Sequence, residues 1–258
     1  LGTVFQLQEQ WQKALEAYQR SVELNPQFIL AYFNQGTVYE SQNQIALAIE
    51  SYQKVIALAP NDAPSWNNLG RLYSEMEQFE EALKCFRSAI QSGIKLPDTY
   101  NNLGLVLYKQ GQMDEAIHSF QEALKMNSLD AEAHTNLGTV FLDQGQMTQA
   151  IKCFKTALDL NPDDLNACSN LATALKEQGQ LEESLQYFKQ ALSKAQSQPL
   201  EKQASIHSSL LHCIYAMPQM TEEEKFTSFQ AWENAYGFLL APLKLNYLNS
   251  PLKDRKLK

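Results

Sequence analysis

The sequence is short of the residues that do chemistry. Four cysteines and four histidines are spread over 258 residues, and no glycine-rich loop is present to cradle a phosphate. His207 and His212 stand five apart on one predicted helix, which turns them away from each other, and no second ligand pair stands near them. Cys213 beside His212 faces another side of that helix, so the two do not form a nucleophile and its base. Basic charge is scarce as well: 21 Lys and Arg against 29 Asp and Glu leave a net charge of −8. A basic stripe for phosphate contacts is missing, which argues against nucleic acid as a partner. No apolar run approaches 18 residues, so no membrane-spanning segment is expected. The cysteines read as reduced thiols, because Cys85 and Cys153 hold one position in units too far apart to bridge. A cytoplasmic setting follows from that reading. No catalytic residue, metal site or cofactor is expected.

What is present is a period. A small residue recurs at Gly2, Gly36, Gly70, Gly104, Gly138 and Ala172, each step being 34 residues. Two places earlier stand Asn34, Asn68, Asn102, Asn136 and Asn170, in the same register. Further ladders run through Ala14, Ala48, Ala82, Ala116, Ala150 and Ser184, and through Tyr18, Tyr52, Phe86, Phe120, Phe154 and Phe188. Such a gapless period is the signature of a helical-hairpin solenoid. In the unit 63–96, Trp66, Leu69, Gly70 and Tyr73 form the stripe of a first helix, and Phe79, Ala82, Leu83, Phe86, Ala89 and Ile90 that of a second. The small residues are expected to let the two helices of a hairpin approach, and the aromatics to fill the space between units. Gly111, Gly145 and Gly179 sit in Gln-Gly-Gln turns, where a left-handed cap is wanted. Pro26, Pro60 and Pro162 mark the ends of second helices. Repeat 97–130 has Ser128 in place of that proline. Glu80-Glu81 and Glu182-Glu183 open second helices, where negative charge suits the helix dipole.

These positions resemble the tetratricopeptide pattern of small and large residues. That resemblance implies an all-α chain, an α-solenoid forming a right-handed superhelix of 34-residue helix-turn-helix repeats. The array is expected over 1–198: a partial repeat at 1–28, then 29–62, 63–96, 97–130, 131–164 and 165–198. Leu1 falls inside a repeat, so the native N-terminus is expected upstream. His134 and Cys168 replace aromatics at an inward position and read as core fillers.

The period stops at Pro199, and 199–258 reads as a helical cap or linker. A helix over 200–217 carries Leu210, Leu211, Ile214 and Tyr215. Thr221 and Glu224 then form a capping box for a second helix with Phe226, Phe229, Trp232, Tyr236 and Leu240, ended by Pro242. Ser208-Ser209-Leu210-Leu211, Tyr215, Pro218, Thr221-Glu222-Glu223, Phe226 and Trp232 resemble the linker of SPINDLY-type O-linked N-acetylglucosamine transferases. Asp254-Arg255-Lys256-Leu257-Lys258 is similar to the basic lead-in to the catalytic lobe of that family. The resemblance implies a substrate-recognition arm of a nucleotide-sugar-dependent protein O-glycosyltransferase, its catalytic lobe lying past Lys258. This stretch itself is not expected to be an enzyme. Members of that family pair through outer repeat surfaces; no exposed apolar stripe here argues for a homodimer.

The asparagine ladder is the candidate binding site. Two residues before the small position lies about 200° around a helix, which turns the amides away from the packed contact and onto the concave face. An amide both donates and accepts, so it serves an extended backbone in either sense. The other use open to it is a bond between neighbouring repeats. In the SPINDLY-type family, asparagines here hold the protein substrate, and acidic residues one turn earlier assist; Asp98 fits that second ladder, and so does Glu132, whereas Leu30, Pro64 and Asn166 do not. The expected peptide-binding set is Asn34, Asn68, Asn102, Asn136, Asn170 and Asp98, and the expected partner a protein with extended or disordered segments. The alternative is a free-standing tetratricopeptide scaffold or co-chaperone. A clamp for a partner's terminal carboxylate needs Lys or Arg along this face, and Arg71 is the main cation there.

Overall fold

A computed structural model describes residues 1–237. Among the described residues the secondary structure is entirely helical. The elements are α1 (Gly2–Leu7), α2 (Trp11–Leu24), α3 (Ile29–Ser41), α4 (Ile45–Leu58), α5 (Ala63–Glu75), α6 (Phe79–Gln91) and α7 (Pro97–Lys109). They continue as α8 (Met113–Met126), α9 (Ala131–Asp143), α10 (Met147–Leu160), α11 (Leu165–Glu177), α12 (Leu181–Lys194), α13 (Leu200–Ala216) and α14 (Glu222–Tyr236). A turn of 3-10 helix, Ala195–Ser197, separates α12 from α13. Contacts divide the chain into two compact units, Leu1–Val140 and the chain from Phe141 onward. The fold class is the all-α tetratricopeptide class that the period predicts. Leu240, Pro242 and the basic stretch 254–258 lie outside the described residues.

Within the first unit the hairpins α3–α4, α5–α6 and α7–α8 are each closed by one joint. A Cβ added to Gly70 would stand 2.7 Å from the Phe86 ring, one at Gly36 2.7 Å from Tyr52, and one at Gly104 2.7 Å from Phe120. Real Cβ atoms do not approach so closely, so the glycine of the first helix is the seat of the aromatic sixteen residues on. Each of these rings lies on the glycine of its own hairpin, and Tyr52 also joins a cluster with Leu69 and Leu72 of the next one. The aromatics also fill space between units as expected: Tyr18 packs with Ala31 and Val38, and Phe154 with Leu171 and Leu175. Within the second unit Ala172 replaces the glycine, and Ser184 replaces the alanine of the other ladder. Ser184 Oγ donates to the Ala172 carbonyl at 2.7 Å, fully buried.

Turn chemistry fixes the hairpin ends. Gly111, Gly145 and Gly179 take φ of +76°, +73° and +82°, and Glu9, Asn43 and Glu77 hold the same turn position with φ of 55°, 57° and 58°. Left-handed backbone costs glycine almost nothing, is tolerated by asparagine, and strains glutamate. The second helices α2, α4, α6, α8, α10 and α12 all start behind a glutamine, residues 10, 44, 78, 112, 146 and 180. Among the first helices, Asp62 caps α5 and Asp164 caps α11, through bonds of 2.9 Å to Ser65 N and Asn166 N. Glu80 and Glu81, and Glu182 and Glu183, fall in first turns as expected.

In the second unit α13 covers the last hairpin: Leu210, Cys213 and Ile214 pack on Ala172 and Phe188. Thr221 and Glu224 form the capping box that starts α14. This helix lies against α13 through Trp232 Nε1, which donates to the Ala204 carbonyl at 3.3 Å, and through Tyr236, edge-on to His207.

Two substitutions separate joint from turn. Gly70→Ala drives a methyl into the Phe86 ring and is expected to cost about 2 kcal/mol, lowering the melting temperature. Glu77→Gly relieves a left-handed glutamate and is expected to add about 1 kcal/mol, raising it. Thermal unfolding followed by circular dichroism checks both signs.

Candidate functional site

Along the first-helix side of the first unit runs a groove of about 770 Å³ lined by Asn67, Asn68, Arg71, Asp98, Asn101, Asn102, Asn127, Asp130 and Glu132. It exists because α5 and α7 present the residues left over once Leu69, Gly70, Leu103 and Gly104 have turned to the core. Pro97 begins α7, and this places Asp98 in the first turn, exposed at the groove edge.

Of the residues expected from sequence, Asn68, Asn102 and Asp98 share this groove. Asn136 lies beside it, its Nδ2 donating to Asn101 Oδ1 at 3.1 Å. Asn34 lines a separate cavity of about 360 Å³ with Leu1, Tyr18 and Leu30. Asn170 holds the same place on α11 in the second unit. All five amides are half-buried.

The two uses of the amides coexist. Asn102 Nδ2 donates to Asn67 Oδ1 at 3.3 Å, the same link one repeat earlier as that between Asn136 and Asn101. Thr99 Oγ1 donates to the same Asn67 oxygen at 3.1 Å. Asn102 and Asn136 therefore each fix their geometry with one amide hydrogen and keep a second hydrogen and an oxygen for a guest. Asn67 and Asn101 are the acceptors that the sequence reading passed over. The doubled asparagines Asn67-Asn68 and Asn101-Asn102 were the available signal, and they occur only in the two repeats that supply most of this groove.

Arg71 is the one cation among the groove's lining residues. Its Nη2 is paired with Glu40, and its Nη1 with Glu75 Oε1 at 2.6 Å. Beneath it the Tyr52 hydroxyl is fully buried near Glu40 and Asn68 without a well-formed bond to either. Burial, then the Glu40 carboxylate, push that hydroxyl far above the ordinary phenol range. Glu40 Oε1 is likewise buried without a partner.

Three of the thiols are held neutral. Burial pushes Cys85 up to about 12, and Cys153 and Cys168 up to about 11. Cys168 Sγ donates to the Tyr187 carbonyl at 3.4 Å in the core. His134 is half-buried, its Nε2 3.1 Å from the Ser128 carbonyl, as Trp66 Nε1 donates to the Pro60 carbonyl at 2.7 Å. Histidine thus repeats the tryptophan's polar contact as well as its place. No group of three or more His, Cys, Asp or Glu side chains able to hold a metal occurs among the described residues. No helix there is long and apolar enough to cross a membrane.

Comparison with known proteins agrees with this architecture. The family model described as the cilia and flagella-associated protein 70 C-terminal domain matches residues 1–207. No curated protein matches the chain. Among solved structures, YrrB, described as a TPR protein with an unusual peptide-binding site, is 24% identical at a TM-score of 0.63, over 77% of this chain and 97% of its own. PilF of Pseudomonas aeruginosa is 21% identical at a TM-score of 0.67, over 83% and 91%. The Cut9–Hcn1 hetero-tetramer of the APC/C has a chain 19% identical at a TM-score of 0.68, over 82% of this chain and 41% of its own. At these identities the likeness is one of fold.

The unpaired hydroxyl under the groove is testable. Tyr52→Phe installs the residue that the later hairpins carry at Phe86, Phe120, Phe154 and Phe188, and removes a buried group with no partner. It is expected to raise stability by about 1 kcal/mol. A melting temperature lowered by Tyr52→Phe would mean that the hydroxyl is well bonded.

Proposed function

This chain belongs to the tetratricopeptide family of the cilia and flagella-associated protein 70 C-terminal domain, and we propose that it is a protein-interaction module whose first unit holds an extended segment of another protein. The observation that carries this is the groove over residues 67–132, whose asparagine rungs are pre-set by bonds between repeats and still have groups to offer. An extended chain rises about 3.4 Å per residue, and neighbouring rungs stand about 10 Å apart. A guest therefore meets a rung every three residues or so. Each bond contributes only about 1 kcal/mol net, which favours many sequences weakly over one sequence strongly. The description of YrrB as having a peptide-binding site supports the same use of the fold. The groove's one cation is already paired, which weighs against a clamp for a terminal carboxylate.

A finer reading makes the module the substrate arm of a SPINDLY-type glycosyltransferase. It rests on the resemblance of residues 208–232 and 254–258, and the matched family model stops at residue 207. A free-standing scaffold is supported equally by the groove. The coding sequence past Lys258 discriminates: a following nucleotide-sugar-binding domain supports the arm, and a stop codon supports the scaffold.

The groove itself is tested by replacing Asn68, Asn102 and Asn136 together with Ala. Three lost rungs at about 1 kcal/mol each are expected to weaken an unstructured Ser/Thr-rich peptide by at least tenfold in a fluorescence titration. Because two of these asparagines also link repeats, Asn67→Ala/Asn101→Ala is measured alongside. It breaks the same links, lowers the melting temperature similarly, and is expected to keep most of the affinity. Equal binding by wild type and the triple variant removes the ladder from the account.

A further inference from the structure

We propose that Glu40 and Glu75 act as a charge filter: by occupying Arg71 they make the groove refuse acidic segments and admit only neutral or basic ones. The inference rests on the groove proposed above and names the chemistry of its guest. The lining holds one cation, Arg71, against three carboxylates, Asp98, Asp130 and Glu132. Left alone, the guanidinium would be the natural seat for a guest carboxylate, offering a planar fork of donors. It is not left alone. Glu40 takes Nη2 from one repeat back, and Glu75 takes Nη1 from one turn on along the same helix.

An acidic guest side chain must then displace one of them. Displacing Glu40 is the worse choice, since only 18% of that side chain is exposed and its second oxygen already lacks a partner. A carboxylate stripped of its only counter-charge while still half-enclosed is strongly disfavoured. Glu75 is 53% exposed and yields more easily, yet the released carboxylate stays in the groove's neighbourhood as one more repulsion. The preceding repeat shows the same rung without charge. Gln6 stands where Glu40 does and donates to Thr37 Oγ1, the counterpart of Arg71, at 3.0 Å. Ser41 stands where Glu75 does. The hairpin geometry therefore accepts neutral side chains at both places, and the ion cluster is peculiar to the repeat that floors the groove.

The experiment uses the whole chain and two probe peptides, Ser- and Thr-rich and equal in length, one carrying Gln and the other Glu at alternate positions. Wild type is expected to bind the Glu peptide about tenfold more weakly than the Gln peptide at low ionic strength. Glu40→Gln/Glu75→Gln is expected to strengthen the Glu peptide and narrow the gap, with the Gln peptide unchanged. Adding Arg71→Leu, the residue found at Leu105 one repeat on, is expected to widen it again. If the double variant does not fold, Glu75→Gln alone, at a half-exposed site, is expected to close part of the gap. Equal affinity of wild type for both peptides overturns the filter, and so does a gap that Glu75→Gln and the double variant leave untouched. Binding of neither peptide by wild type instead overturns the groove reading on which the filter rests.

Discussion

The contact on which the rest depends is a ring lying on bare backbone. Phe86 on Gly70, Phe120 on Gly104 and Tyr52 on Gly36 each bring two helices together at a distance that a single methyl group would forbid. Close approach fixes the roll of both helices about their axes. Once the glycine faces inward, the residue two places earlier must face outward, and the asparagines reach the groove by that constraint. The aromatic sits wholly buried, so the joint also supplies much of each hairpin's apolar burial. Site and fold are thus set by one steric fact repeated at a fixed interval.

The groove that results is polar and built in advance. Amide-to-amide bonds from Asn102 to Asn67 and from Asn136 to Asn101 hold neighbouring repeats in register and aim the rungs. Pre-setting lowers the ordering cost that a guest would otherwise meet. The Glu40–Arg71–Glu75 cluster beside them is polar in a different way: its charges satisfy one another and offer little to a guest. Two kinds of polar residue thus share one face, one with bonding capacity left and one with its capacity spent.

Much of this was legible in the sequence because packing leaves a periodic trace. The glycine, alanine and aromatic ladders gave the class and the hairpin ends, and Gly111, Gly145 and Gly179 gave the left-handed turns. Glu9 and Glu77 take the same backbone shape without the residue that announces it, so no local signal marked them. The asparagine rungs were legible as a row, but their bonds to Asn67 and Asn101 were not, since those partners recur in only two repeats and a row does not say what each member bonds. The pairing of Arg71 was hidden because Glu40 stands 31 residues before it, off the repeat interval. The seating of each aromatic on the glycine of its own hairpin was not legible, because a period says which positions are large and not every neighbour each one meets.

The account's central claim is that the amide-lined groove over residues 67–132 receives an extended guest. The most direct measurement is a titration of isotopically labelled protein with an unstructured neutral peptide, following side-chain amide resonances by NMR. The claim predicts saturable shifts at Asn67, Asn68, Asn101 and Asn102 and at the backbone amide of Asp98, all reporting one dissociation constant. Shifts confined to the opposite side of the same hairpins, around Ile56, Trp66 and Tyr73, with the asparagine amides unmoved, would contradict it.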